Sequence, residues 1–125
     1  VVWGTGKPKR EFIYIDDIAR GLLFVMKTNI NSDLINLGTG LETSVKELSF
    51  MLKNIVGFKG KIIFDKTKPD GMSRRLLYSG IIKKTGFILH TNLLNGLINT
   101  YSWYISNSYK KNIWQKYIVN FINQK

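Results

Sequence analysis

The sequence predicts an α/β domain, a small mixed sheet with packed helices, and three observations carry that prediction. Residues 34–65 read as strand, helix, strand. An Arg10–Ile15 run of strand character feeds straight into a helical pattern over residues 17–28. The chain has 125 residues, 44% of them hydrophobic and 13% aromatic, enough for one core and not for two.

The elements follow in order. Val1 to Trp3 is a strand end, and because it opens inside a strand-like run it reads as part of a longer protein. Gly4-Thr5-Gly6-Lys7-Pro8-Lys9 is a turn. In the next strand Phe12 and Tyr14 share one face and Ile13 and Ile15 the other, with little alternation of polarity, as in a strand covered on both sides. Asp16 and Asp17 are read as an N-cap pair for the helix over residues 17–28, whose stripe is Ile18, Leu22, Val25 and Met26.

After a loop at residues 29–33, Leu34 to Leu37 is expected to be a short buried strand, ended by Gly38-Thr39-Gly40. Ser44 and Glu47 form a capping box. The helix that follows carries Leu48, Met51, Leu52, Ile55 and Val56, and Gly57 closes it. Lys61 to Asp65 is the next strand. A loop runs from Lys66 to Arg75, a short helix from Leu76 to Thr85 stops at Gly86, and a longer helix over residues 91–106 starts from Thr91 as its cap. Residues 1–106 are taken as one lobe and residues 107–125 as a basic amphipathic extension, for which a packed terminal helix and contact with a membrane surface or a partner are the alternatives.

Composition excludes several classes. There is no cysteine, which removes disulfide scaffolds and thiolate metal sites and fits a reducing cytoplasm. One histidine, His90, cannot build a histidine metal cluster; a loop or packing role is expected of it. No apolar run approaches the roughly 18 residues of a membrane span. The formal net charge of +11 invites a nucleic-acid reading, but of 19 cations only four are Arg, and no acidic residue follows Asp70. A solvated lysine-rich surface is the plainer account.

Two cationic stretches stand out. Trp3 to Asp17 brings an indole, a Gly- and Pro-containing turn and Arg10 to the mouth of a strand. Lys66 to Arg75 holds Lys66, Lys68, Arg74 and Arg75 against Asp70. An arginine fork matches phosphate oxygens, an indole stacks on a ring, and a carboxylate accepts from a ligand hydroxyl or ring N–H. The two stretches are expected to face one phosphorylated or nucleotide ligand; for the second, a plain surface turn is the alternative. Gly4-x-Gly6 and Gly38-x-Gly40 each lack the third glycine of a dinucleotide fingerprint. The residues contain no nucleophile–histidine–acid set and no P-loop, so the chain reads as a ligand-holding lobe without a catalytic centre.

The runs VVWGTGKPKREFIYIDDIA, INLGTG, VGFKGKIIFDKTKPDGMSRRLL and TGF, in that order over about residues 1–106, resemble the C-terminal part of the GDP-L-fucose synthase family of extended short-chain dehydrogenase/reductases, within the NAD-dependent epimerases and dehydratases. WGTGKPKREF and KPDGMSRR are the specific pieces. The resemblance implies a substrate-binding lobe whose Rossmann half is absent, with NADPH bound by that missing half. It implies 3,5-epimerisation and 4-reduction of GDP-4-keto-6-deoxy-D-mannose, and a homodimer for the whole enzyme. It implies that Trp3, Arg10, Asp70 and Arg75 bind the GDP-sugar; Arg75 stands where the family commonly has Lys. The family's Tyr-x-x-x-Lys and Cys/His pair match nothing here, so the chain alone is expected to be inactive. Another sugar-nucleotide epimerase or dehydratase, and a basic nucleic-acid module, are the competing readings.

Overall fold

A computed structural model describes the backbone of residues 1–122 and the side chains as far as Asn107. Among the described residues there are five short strands and four helices, in the order β1 (Val2–Trp3), β2 (Lys9–Glu11), α1 (Ile15–Lys27), β3 (Glu42–Ser44), α2 (Val45–Ile55), β4 (Phe64–Asp65), β5 (Arg74–Arg75), α3 (Gly80–Lys84) and α4 (Leu93–Ile122). The sheet is mixed, as expected, and split in two. Strands β1 and β4 pair in parallel, with Val2 opposite Phe64 and Trp3 opposite Asp65. Strand β2 is the centre of the other sheet, antiparallel to β3 and parallel to β5.

The local signals for α2 hold in full. Ser44 Oγ accepts from the Glu47 N–H at 3.1 Å, and the Glu47 carboxylate accepts from the Ser44 N–H at 2.8 Å. At the other end Gly57 sits at φ +69°, its N–H bonded to Asn54 O and that of Phe58 to Lys53 O. This pair of bonds satisfies the last carbonyls, and the left-handed conformation is one that glycine adopts without steric cost.

Several expectations are corrected, among them the strand expected over Lys61–Asp65, which is only Phe64–Asp65. The strand expected over Arg10–Ile15 ends at Glu11, because its neighbours β3 and β5 have only three and two residues to offer. Helix α1 then starts at Ile15, with Tyr14 as its N-cap residue and no side-chain cap. Leu34–Leu37 forms no ladder among the described residues: Leu37 instead packs on α1 at Gly21, where a Cβ would lie 2.6 Å from Leu37 Cδ1. The helix expected from Leu76 begins only at Gly80, and α4 is capped by Asn92, whose Oδ1 accepts from the Asn95 N–H at 2.9 Å, rather than by Thr91. The basic character expected over residues 107–125 concerns side chains outside the described set, Asn107 apart.

Asp17 is also corrected. It lies inside the first turn of α1, fully buried, and does not cap it. Its carboxylate reaches across the fold. Oδ1 accepts from the His90 N–H at 3.2 Å and Oδ2 from the Thr91 N–H at 2.9 Å, while Arg20, one turn along α1, closes an ion pair on it. Nearby, the Phe24 and Phe87 rings meet at 5.3 Å between centroids. Asp17 therefore ties α1 to the turn that launches α4. Ile82 is the only hydrophobic side chain that is buried among the described residues, so this carboxylate carries much of the tertiary connection.

Removing a buried acceptor leaves its donors unpaired, which costs more than losing an exposed cap. Asp17→Ala is expected to destabilise the chain by about 3 kcal/mol or more, against about 1 kcal/mol for Ser44→Ala. Urea unfolding of the two variants compares them. Equal losses would return Asp17 to the role of a simple cap.

Candidate functional site

The 66–75 loop and the Trp3–Arg10 stretch meet along their whole length. At one end β1 pairs with β4, and the Gly4 N–H bonds Asp65 O at 2.8 Å. At the other, the Lys9 N–H bonds Ser73 O at 2.9 Å, and β2 pairs with β5 so that Arg10 stands opposite Arg75. In a parallel pair, residues in register point to the same face. Arg10 and Arg75 accordingly line one cavity of about 190 Å³ with Glu11, Ile13, Leu37, Gly38 and Leu77.

The cations are not equivalent. Arg74 is held by Glu42, 2.5 Å from its Nε, and that hydrogen bond followed by the charge of Glu42 raises the guanidinium's pKa. Among the described residues Arg75 makes no ion pair. Arg10 spends one donor on its neighbour's carbonyl, Lys9 O, at 2.7 Å, and among the described residues its side chain makes no other hydrogen bond. The sheet therefore presents two arginine forks to one small cavity.

Glu11 shares that cavity with its charge already engaged. Oε1 accepts from the Gly40 N–H at 2.6 Å and the Thr39 hydroxyl at 3.1 Å; Oε2 accepts from the Leu77 N–H at 2.9 Å. Burial opposes its ionisation and is the largest single influence. The donors of Leu77, Gly40 and Thr39 together outweigh it, and the pKa falls. Glu11 ties two separate segments, the 39–40 turn and Leu77, to β2, and nothing in the sequence spacing signals that.

Trp3 and Asp70 form a second cluster, on the same two stretches and not in the arginine cavity. Trp3 is 71% exposed, and Lys68 Nζ stands 5.6 Å from the centre of its ring. Both Asp70 oxygens are engaged by Thr5, the backbone N–H at 2.5 Å and the hydroxyl at 2.7 Å. Thr5 is the residue that sequence reasoning missed.

The N-terminus of α2 offers nothing to a phosphate. Its first N–H groups go to Pro8 O, Gly6 O and Ser44 Oγ. Gly4-x-Gly6 leads into β2 and Gly38-x-Gly40 into β3, so neither glycine pair opens a helix as a dinucleotide cradle does. Larger cavities, of about 410 and 430 Å³, border His90 elsewhere on the lobe and include none of Trp3, Arg10, Asp70 or Arg75. His90 sits in the loop before α4, as expected. Among the described residues no group of three or more His, Asp or Glu side chains is placed to hold a metal, and no described helix is long and apolar enough to cross a membrane.

Comparisons with known proteins agree with this fold. Residues 1–38 match the NAD dependent epimerase/dehydratase family. The probable GDP-L-fucose synthase 1 of Oryza sativa subsp. japonica is 43% identical over 107 residues, which cover 86% of this chain and 33% of that protein. The GDP-L-fucose synthase of Escherichia coli K12 is 37% identical over 116 residues, covering 86% of this chain and 36% of that one. Among solved structures, the NADP-bound GDP-L-fucose synthetase of Naegleria fowleri superposes with a TM-score of 0.79 at 28% identity, over 86% of this chain and 34% of that one. The chain thus spans about a third of the length of the relatives it matches.

A carboxylate whose pKa is lowered by folding adds stability above its unfolded pKa and loses it as the pH falls through the folded one. For Glu11 that loss is expected below the ordinary glutamate value of about 4.3. Glu11→Gln should remove this part of the acid transition and lower stability at neutral pH. Thermal unfolding from pH 7 to pH 3 tests it; identical profiles for the two proteins would leave Glu11 without this role.

Proposed function

We propose that this chain is the sugar-nucleotide-binding lobe of a GDP-L-fucose synthase. The observation that carries the reading is the parallel pairing of Arg10 with Arg75 over one cavity, with Trp3 and Asp70 on the same two stretches outside it, in a chain similar to these synthases along 86% of its length. The whole enzyme would convert GDP-4-keto-6-deoxy-D-mannose to GDP-L-fucose by 3,5-epimerisation and NADPH-dependent 4-reduction, in the cytoplasm and as a homodimer. In this reading Arg10 and Arg75 hold the diphosphate, Trp3 offers a ring face, and Asp70 lies at the edge of the site. Residues 1–106 form the lobe and residues 107–125 an extension of it.

The cavity of about 190 Å³ is smaller than the roughly 300–1,000 Å³ of a complete small-molecule site. It suits a phosphate or one sugar, and the remainder of the ligand would lie along the 66–75 loop. NADPH would supply the hydride for the reduction. The residues present do not fit a dinucleotide, since neither Gly-x-Gly opens a helix, and its binding is assigned to the rest of the enzyme. This chain's part is to hold and orient the GDP-sugar. It has no Tyr-x-x-x-Lys and no cysteine, so it would bind without turnover.

Calorimetric titration with GDP, ADP and a short DNA duplex at two salt concentrations tests the reading. GDP is expected to bind in preference to ADP with a modest salt dependence, whereas a polyelectrolyte contact weakens steeply. A charge-assisted hydrogen bond contributes about 1.5–3 kcal/mol. Arg10→Ala and Arg75→Ala should therefore each weaken GDP by about ten- to a hundredfold, and Arg74→Ala, which loses its pair with Glu42 instead, should leave affinity nearly unchanged. Salt-sensitive DNA binding without a nucleotide preference would replace this reading with that of a basic binding module.

A further inference from the structure

The tip of the 66–75 loop is held by one side chain. The loop's first residues are anchored to Asp65: its Oδ1 accepts from the Thr67 N–H at 3.0 Å and the Thr67 hydroxyl at 2.6 Å, and its carbonyl accepts from the Lys68 N–H at 3.2 Å. Its last residues are anchored by Ser73 and β5. Between them, residues 68–72 are exposed, and among the described residues their only hydrogen bonds to another segment run from Thr5 to Asp70. The Thr5 hydroxyl is itself oriented, since its oxygen accepts from the Lys7 N–H at 3.2 Å and its proton is left for Asp70 Oδ2. Gly4 makes the approach possible: at φ +81° it has no Cβ, and a Cβ there would collide with Asp70 Oδ1.

We infer that Thr5 is a positioning residue for the nucleotide site, latching Asp70 so that the loop tip and the Lys68 cation stay over the Trp3 ring before ligand arrives. This rests on the proposed function and adds to it a residue that would not itself touch the ligand. A preordered loop spares the ligand the entropy of ordering it. The Thr5 hydroxyl and then its N–H also lower the Asp70 pKa, against a small opposing effect of burial and with a smaller contribution from Lys7.

The test compares the wild-type chain with Thr5→Val and Thr5→Ser. The Asp70 carboxyl is titrated by carbon NMR, and GDP affinity is measured by calorimetry. Valine keeps the shape and deletes the hydroxyl. It is expected to raise the Asp70 midpoint toward the ordinary aspartate value and to weaken GDP by about tenfold, the size of one charge-assisted hydrogen bond. Serine should restore both. An unmoved Asp70 midpoint in Thr5→Val overturns the latch, and so does a raised midpoint with GDP affinity unchanged. Failure of the wild-type chain itself to bind GDP overturns the functional reading, and with it the role of Thr5 at a nucleotide site, even where the midpoint moves as expected.

Discussion

The buried carboxylate of Asp17 is the interaction on which this lobe depends. A charge out of water is tolerated only when it is paired and hydrogen-bonded, and Asp17 has the Arg20 guanidinium and two backbone donors from residues 90 and 91. The same logic recurs at Glu11, which gathers the 39–40 turn and Leu77 onto β2, and at Asp70, which gathers the loop tip onto Thr5. Loops carry backbone N–H groups with no ladder to join. Here acidic side chains accept them, and a chain with a formal charge of +11 uses its few acids as connectors.

Those connectors matter because the apolar contribution is small. Ile15, Leu22, Leu23 and Met26 form an exposed row along α1, with Met26 81% accessible. The spacing is that of one helical face, and burying such a face is how a helix ordinarily gains its stability. Its opposite side meets Leu37 at Gly21 and Phe87 at Phe24. The lobe therefore has a covered side, stitched by carboxylates, and an apolar side that contributes nothing to the stability of these residues alone. The chain spans about a third of the length of the relatives it matches.

What the sequence made legible was chemistry that is local along the chain. The Ser44–Glu47 box and the Gly57 stop depend on residues within a few positions of each other, and both formed as read. The meeting of the two cationic stretches was legible because an α/β layer brings the ends of its strands together, and they do meet. What failed was non-local. Asp17 looks like a cap because Asp before an apolar stripe is one in most helices; its real partners lie 73 and 74 residues away. Strand lengths failed for the same reason. Arg10–Ile15 has the composition of a six-residue strand, but a ladder extends only as far as its neighbours, and β3, which supplies one of them, carries Glu-Thr-Ser with no strand signature.

The same distinction bears on the site. A cluster of cations in sequence is not yet a site, because each charge has neighbours that compete for it. Of the Arg74–Arg75 pair, one guanidinium is committed to Glu42 and the other is carried by the strand register to face Arg10. Helix dipoles, the usual alternative for holding phosphate, are closed off at α2 because Gly6, Pro8 and Ser44 already accept its leading N–H groups. Arg10 and Arg75 are instead the pair that the register of β2 with β5 sets over one cavity. Arg10 and Arg75 stand on strands of three and two residues, so their spacing depends on the contacts that keep those strands paired. Glu11, next to Arg10, bonds Leu77 just beyond β5, and Thr5 bonds Asp70 just ahead of it, so an acid holds the chain on each side of that pairing.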